Sequence, residues 1–370
     1  MSRLRSASAL VLTALILLGS TAATHGLSAS SDRGQGPAGT ARPHPASLTP
    51  ELERSPLYPP MANTFVGVDG LTYEFAPSVA FGTTGRAFIG QDFDAACWYG
   101  AHLHHGLRQL AKLARVIEDS GRHVVWTVAP NKSSVTTGEL PADMPHGRCS
   151  RRAITQQNRI LDRFSDPRFI PMRASLERQS ARGANVYWHY DTHWTTVAGA
   201  QYAEAVATML NPRIAALQRY RTAPSTISVD LGEQGFIDQM QESGKVRIPT
   251  TPVRVRPAGD TTVIDLDTLI NPDISWRTGP AARTWRGNTL LLGDSFTYRS
   301  LSVLMPLFRR GHFMWLNVVD DDDVLKAIAK SDTVVLELVQ RYVGVSRHVQ
   351  AAFRRSVRDA LSDYDSRLQP

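Results

Sequence analysis

"NTLLLGDSFTYRSLSVLMPLFRRGHFMWLNVVDDDDVLKAIAKSDTVVLELV", from Asn288 to Val339, decides the fold class. It holds three short apolar runs: around Leu290 to Leu292, from His312, and from Thr333 to Leu338. Two helical stretches separate them, "YRSLSVLMPLFRR" and "DDVLKAIAKSD". The runs are continuously apolar instead of alternating, as in strands covered on both faces, and strands that alternate with helices lie parallel. The predicted fold is therefore α/β, a three-layer sandwich with a mainly parallel sheet.

Upstream, "HVVWTVAP" from His123 reads as another strand ended by a proline. It follows "AHLHHGLRQLAKLARVIEDS", Ala101 to Ser120, where Leu103, Leu107, Leu110, Ala114 and Ile117 recur on one helical face before Gly121. Further helical patterns lie near Thr155 to Phe164 and from Thr195 through "AGAQYAEAVATML". The region from about 225 to 284, with Pro249, Pro252, Pro257 and few periodic runs, is expected to be an irregular insertion between two halves of the sheet.

With 370 residues, 42% hydrophobic and 20% charged, the chain has globular composition. Its first 26 residues place Arg3 and Arg5 before an apolar run from Ala7 to Leu18, followed by small residues from Thr21 to Ala23. That is the layout of a signal peptide, with an uncleaved N-terminal anchor as the alternative. Either puts the body of the protein outside the cytoplasm, secreted or tethered to the outer face of the cytoplasmic membrane. Residues 27 to 60, rich in Pro, Ser and Gly, read as a disordered tether. Residues 61 to 370 are left as the folded domain. Cys97 and Cys149, an even pair in an exported chain, point to a disulfide, with two small buried thiols as the alternative. The net charge of +7 is spread along the chain, and no zinc-finger spacing, basic helix or aromatic motif points to nucleic acid.

Two stretches carry chemistry. "LLLGDSFTYRS" places Ser295 directly after a strand and before a helix, where Gly293 permits a tight turn and free backbone N–H groups face whatever the serine attacks. A serine needs a base. "VYWHYDTHWTTVAGA", from Val186, supplies Asp191 and His193, two apart and therefore on one side of an extended segment, with the carboxylate orienting the imidazole. The alternative is that Asp191 caps the following helix while His193 packs. A metal site on His189 and His193 would need a helix through "YDT" and a third ligand, so no metal is expected. Asp320 to Asp323 lack the Gly and Glu of a calcium loop and suit a helix N-terminus. No cofactor motif is found.

"YDTHWTTVAGA" followed by "LLGDSF" resembles the alginate O-acetyltransferase family, the AlgJ/AlgX-type SGNH-hydrolase-like proteins of bacterial envelope polysaccharide modification. "VGVDGLTYEF", "VAPNKSSVTTGELP" and "VVLELVQRYV", the last with Glu337 and Arg341, extend the likeness over most of the chain beyond the tether. Ordinary SGNH hydrolases place the serine first. Here Asp191 and His193 precede it, as in the acetyltransferase branch. The resemblance implies that Ser295 is acylated, that His193 is the general base and acid, and that Asp191 orients His193. It implies acetyl delivery by a membrane-bound O-acyltransferase partner to a polysaccharide hydroxyl. It places Asn131, Lys132, Asp294 and Arg341 at the substrate or oxyanion region; a satisfied turn, and an ion pair of Arg341 with Glu337, are the structural alternatives. Trp194 and Tyr298 are open between stacking on sugar rings and packing. The chain ends soon after Arg341, leaving no room for the carbohydrate-binding module of the AlgX type, so the AlgJ type is expected. Two other readings stay open: an extracellular carbohydrate esterase using the same triad, and a non-catalytic polysaccharide-binding envelope protein.

Overall fold

The computed structural model describes residues 64–66, 72–74, 79–231, 241–249, 255–257, 273–278 and 284–368. The segments read as signal or anchor and as tether lie outside them. Seven strands form the central sheet: His123–Ala129 (β1), Phe169–Ile170 (β2), Val255–Pro257 (β3), Asp273–Thr278 (β4), Trp285–Gly293 (β5), Phe308–Trp315 (β6) and Thr333–Val339 (β7). Their spatial order is β2-β1-β7-β5-β6-β4-β3. The first five in that order run parallel, and β4 and β3 add antiparallel at one edge.

The continuous apolar runs have the cause inferred from sequence. Val334, Leu336 and Leu338 of β7 pack with helices 103–119, 321–330 and 351–368, while Val335 and Val339 pack with helix 196–210 on the opposite face. Both faces are covered, so the architecture is a three-layer α/β sandwich. The acidic run serves helix 321–330: Asp320 is its N-cap and accepts from Asp322 N at 2.8 Å.

Two stretches differ from the sequence reading. "YRSLSVLMPLFRR" is not one helix: helices 295–299 and 301–304 and a 3-10 turn at 305–307 lead into β6, which starts at Phe308, four residues before His312. Pro306 has no N–H to continue a helix, and Ser300 Oγ donates to Phe296 O at 2.8 Å at the break. Where residues 225–284 are described, they carry strands. Tyr220–Ser228 and Gln241–Pro249 form an antiparallel hairpin, and β3 and β4 extend the main sheet. The hairpin buries one narrow face, Ile227 and Val246 against Trp188, so its sequence alternates weakly. Pro249 and Pro257 stand at strand ends, where a missing N–H is tolerated.

Cys97 and Cys149 form a disulfide between helices 91–99 and 148–163, with Cα atoms 5.7 Å apart. No helix among the described residues is long and apolar enough to cross a membrane. The bridge spans 52 positions. Closing a loop of that size restricts the unfolded chain, so replacing both cysteines by serine should lower the unfolding free energy by about 4 kcal/mol, read from denaturant titrations of oxidised protein and variant.

Candidate active site

The segment from Val186 to Thr195 folds back on itself: Tyr187 bridges Trp194, and Thr195 N donates to Val186 O at 2.9 Å. Thr195, not Asp191, caps helix 196–210, accepting from Val197 N at 3.2 Å. Asp191 is thereby free for His193. Being neither helix nor strand, the loop must find partners for its peptide groups elsewhere. Charged side chains supply them. Arg86 donates to Tyr187 O at 3.0 Å, and the Glu242 carboxylate accepts from His189 N at 2.8 Å and Tyr190 N at 2.9 Å. Asp230 accepts from Thr192 N at 2.7 Å and also from the Thr192 hydroxyl. Lys132, 1 % exposed, donates to Ala87 O at 2.6 Å, His189 O at 2.9 Å and Asp191 O at 3.0 Å.

Within this frame Asp191, 0 % exposed, receives both His193 Nδ1 and His193 N on Oδ1, each at 2.7 Å. Its Oδ2 accepts from Asp230 N at 3.3 Å and lies 3.8 Å from Arg299. Burial works to raise the Asp191 carboxyl, but the charge and hydrogen bonds of His193, with Arg299, outweigh it and hold the group down at about 2. A second carboxylate, Asp230 Oδ2, stands 3.6 Å from His193 Nδ1. Burial and the charge of Asp191 push Asp230 upward, against His193 and Thr192. Asp191, His193 and Asp230 bring ligand atoms within 4.8 Å of one another, a grouping with the compactness of a metal site. Both Asp191 oxygens, both Asp230 oxygens and His193 Nδ1 take part in the contacts just described, and the ring of His189 lies edge-on to Tyr190 with centroids 4.6 Å apart.

Ser295 opens the short helix 295–299 at the carboxyl end of β5, where parallel sheets present their ligand sites. Asp294 caps it, accepting from Phe296 N at 2.9 Å. Gly293 is required: a Cβ there would stand 2.3 Å from Thr297 Oγ1 and 3.0 Å from Glu337 Oε2. The half-buried Ser295 makes no side-chain hydrogen bond among the described residues. The two halves of the site meet through its neighbours. The ring of Phe296 lies 5.1 Å from that of His193, and Trp194 Nε1 donates to Phe296 O at 3.0 Å and Ser300 Oγ at 2.9 Å.

The remaining sequence candidates are placed as follows. Trp194 is 1 % and Tyr298 4 % exposed, so both pack; Tyr298 stacks on Trp315 at 5.6 Å, and Trp315 is the more exposed ring of the two. Asn131 joins the ends of β1 and β7, donating from its N to Gln340 Oε1 at 3.0 Å and accepting Arg341 N at 3.2 Å. Arg341 pairs with Asp92 at 3.4 Å and lies over the rings of Phe296 and Tyr342. Sequence reasoning missed Arg86, Asp230, Glu242 and Arg299. Asp230 and Glu242 lie in the stretch without periodicity, and nothing local marks any of the four as a partner of the loop.

A serine at the carboxyl end of a parallel strand, with a carboxylate-bound imidazole packed on the residue after it, suits an SGNH-hydrolase-like domain. The chain belongs to the family described as "SGNH hydrolase-like domain, acetyltransferase AlgX", which matches residues 79–268 and so includes Lys132, Asp191 and His193. Among solved structures, Bacillus cereus PatB1 with a sulfonyl adduct has TM-score 0.52 at 12% identity, covering 73% of this chain and 97% of that one. The O-acetyltransferase domain of Pseudomonas putida AlgJ has TM-score 0.45 at 17% identity, covering 77% of this chain and 100% of that one. Pseudomonas aeruginosa AlgX has TM-score 0.42 at 13% identity, covering 76% of this chain and 66% of that one. No curated protein matches the chain at the sequence level.

Lys132 gives this site a pH signature. Burial pushes its amine down to about 7, and Arg86 adds to the effect against the attraction of Asp191, Asp230 and Glu242. As pH rises from 7 to 10.5, the folded protein releases this proton before the unfolded chain does. The unfolded state then binds more protons, and the unfolding free energy gains up to about 1.4 kcal/mol per pH unit. Urea titrations across that window should show this slope in the wild type, and Lys132→Met should be less steep by that amount.

Proposed function

We propose that the protein is an O-acetyltransferase that carries acetyl through Ser295 to hydroxyls of an extracellular or cell-envelope polysaccharide. Ser295 Oγ attacks the acetyl carbonyl of the donor while His193 Nε2 takes the hydroxyl proton and returns it to the leaving group. A sugar hydroxyl then attacks the acetyl-serine, giving its proton to His193. The acetyl ester forms on the sugar as the bond to Ser295 breaks, and the proton on His193 returns to the serine. Asp191 holds the Nδ1 proton of His193 and stabilises the imidazolium in both steps.

The observation that carries this reading is the buried Asp191–His193 pair, bonded at 2.7 Å and packed against the residue next to Ser295, in a chain of an acetyltransferase family. An ionised Asp191, held low by His193, is the state the mechanism needs. The donor proposed is acetyl delivered by a membrane-bound O-acyltransferase, in keeping with the expected export segment and tether.

Wild type and Ser295→Ala, mixed with an activated acetyl ester and acetyl-free oligosaccharides, test the reading by mass spectrometry of acetylated sugar and free acetate. Sugar acetylation in excess of hydrolysis, lost in Ser295→Ala, is expected. Acetate release indifferent to acceptor would mark an esterase instead, and an active Ser295→Ala would rule out the acyl-serine. Asp191→Asn should lower turnover by about three to four orders of magnitude by misorienting His193.

A further inference from the structure

Beneath the serine turn lie two buried acids that this mechanism does not use. Glu337, 0 % exposed, stands in the central strand β7, and Asp294 precedes the serine. Glu337 Oε2 accepts from Asp294 N at 3.2 Å, Thr297 N at 3.2 Å and Thr297 Oγ1 at 2.9 Å. Asp294 accepts from Phe296 N at 2.9 Å and, on its other oxygen, from Val339 N at 2.7 Å. Together they take the N–H groups of the residues on both sides of Ser295. Glu337 Oε1, however, is buried without a donor among the described residues.

An ionised Glu337 would leave that oxygen unpaired and set two charges against each other in the middle of a sheet, a cost that a shared proton removes. The groups facing the pair are Thr297 on the serine helix, Tyr202 on helix 196–210, Tyr187 on the histidine loop, and Arg341 after β7, which is already paired with Asp92. The Glu337 carboxyl lies directly against Asp294, from whose backbone N–H it accepts at 3.2 Å. Burial, and then the charge of Asp294, push Glu337 well above the usual carboxyl range. Asp294 is also raised by burial, but each of its two oxygens accepts a backbone N–H and Arg341 favours its charge, whereas Glu337 Oε1 has no donor among the described residues, so the proton belongs to Glu337.

We propose that Glu337 is a neutral carboxylic acid and a positioning residue. Its carbonyl oxygen holds the backbone N–H groups of Asp294 and Thr297, and its O–H donates to Asp294, so that Ser295 is fixed between two anchored neighbours. The positioning role rests on the acyl-serine reading given above; the protonation state does not.

Infrared difference spectra of the whole chain, wild type against Glu337→Gln at neutral pH, test the protonation. A protonated-carboxyl C=O band should be present in the wild type, constant from pH 5 to 8, and missing in the variant. Because the folded wild type keeps a proton that its unfolded chain releases, its melting temperature should fall relative to that of Glu337→Gln as pH rises over the same range. In the acetyl-transfer assay Glu337→Ala should lose kcat on the order of a hundredfold with little change in KM, the scale of a misplaced reacting group. Glu337→Gln, neutral and able both to accept and to donate, should restore most of the loss. A wild type without the band, parallel melting curves, or a glutamine variant as impaired as the alanine one would overturn the proposal. If Glu337→Ala does not fold, the spectra and the glutamine variant decide. If Ser295→Ala proves active, the band and the melting curves still decide the protonation state.

Discussion

A largely buried loop that is neither helix nor strand has peptide groups that must be bonded, and the segment from Tyr187 to Thr192 meets this demand with side chains from four distant places. Arg86, Lys132, Asp230 and Glu242 each bind its backbone. The charge around the imidazole therefore has a structural origin first. Groups recruited to satisfy amides and carbonyls also surround Asp191, and with His193 and Arg299 beside it that carboxyl remains ionised despite complete burial. Scaffold and electrostatics are one arrangement here.

The serine side obeys the same rule with opposite charge logic. Its turn offers unpaired N–H groups, and carboxyl oxygens from Asp294 and Glu337 accept them. Trp194 then joins the two sides, since one indole N–H reaches both Phe296 O and Ser300 Oγ. A ring that the sequence left open as a sugar platform is thus a structural tie. Trp315, half-buried and stacked on Tyr298, stands opposite Gly293 in the sheet register at the carboxyl edge of β5.

What was legible in the sequence follows from the range of the interactions involved. Doubly covered strands write themselves as continuous apolar runs, so β1, β5 and β7 and helices 196–210 and 321–330 were readable locally, whereas the stretch after Ser295 breaks into short turns of helix. The Asp191–His193 contact spans two residues and was legible because Ser295 called for a base, although the segment that holds the pair is a loop and not an extended strand. The strands within residues 225–284 were not, because a hairpin with one narrow buried face leaves only weak alternation. Arg341 looked like a partner for Glu337 four residues before it, yet the strand turns there and the guanidinium reaches Asp92, far back in the chain. Asp230 and Glu242 bind a loop about 40 and 50 residues earlier, and no local pattern records such a meeting.

The position of β7 has a consequence for how the molecule is assembled. This strand is the last of the sheet to be made, yet it fills the middle, with Thr333 beside His123 on one edge and Thr289 beside Thr333 on the other. Until it enters, β1 and β5 have no common neighbour, and Glu337 is not yet beneath the serine. A nascent chain stopped short of residue 333 would join the histidine loop to the serine only through contacts such as Trp194 to Phe296 O, without the strand between β1 and β5. The sheet depends on contacts some 200 residues apart in sequence, the long-range kind that slows folding. The last strand to be made is thus the one that completes the sheet beneath Ser295.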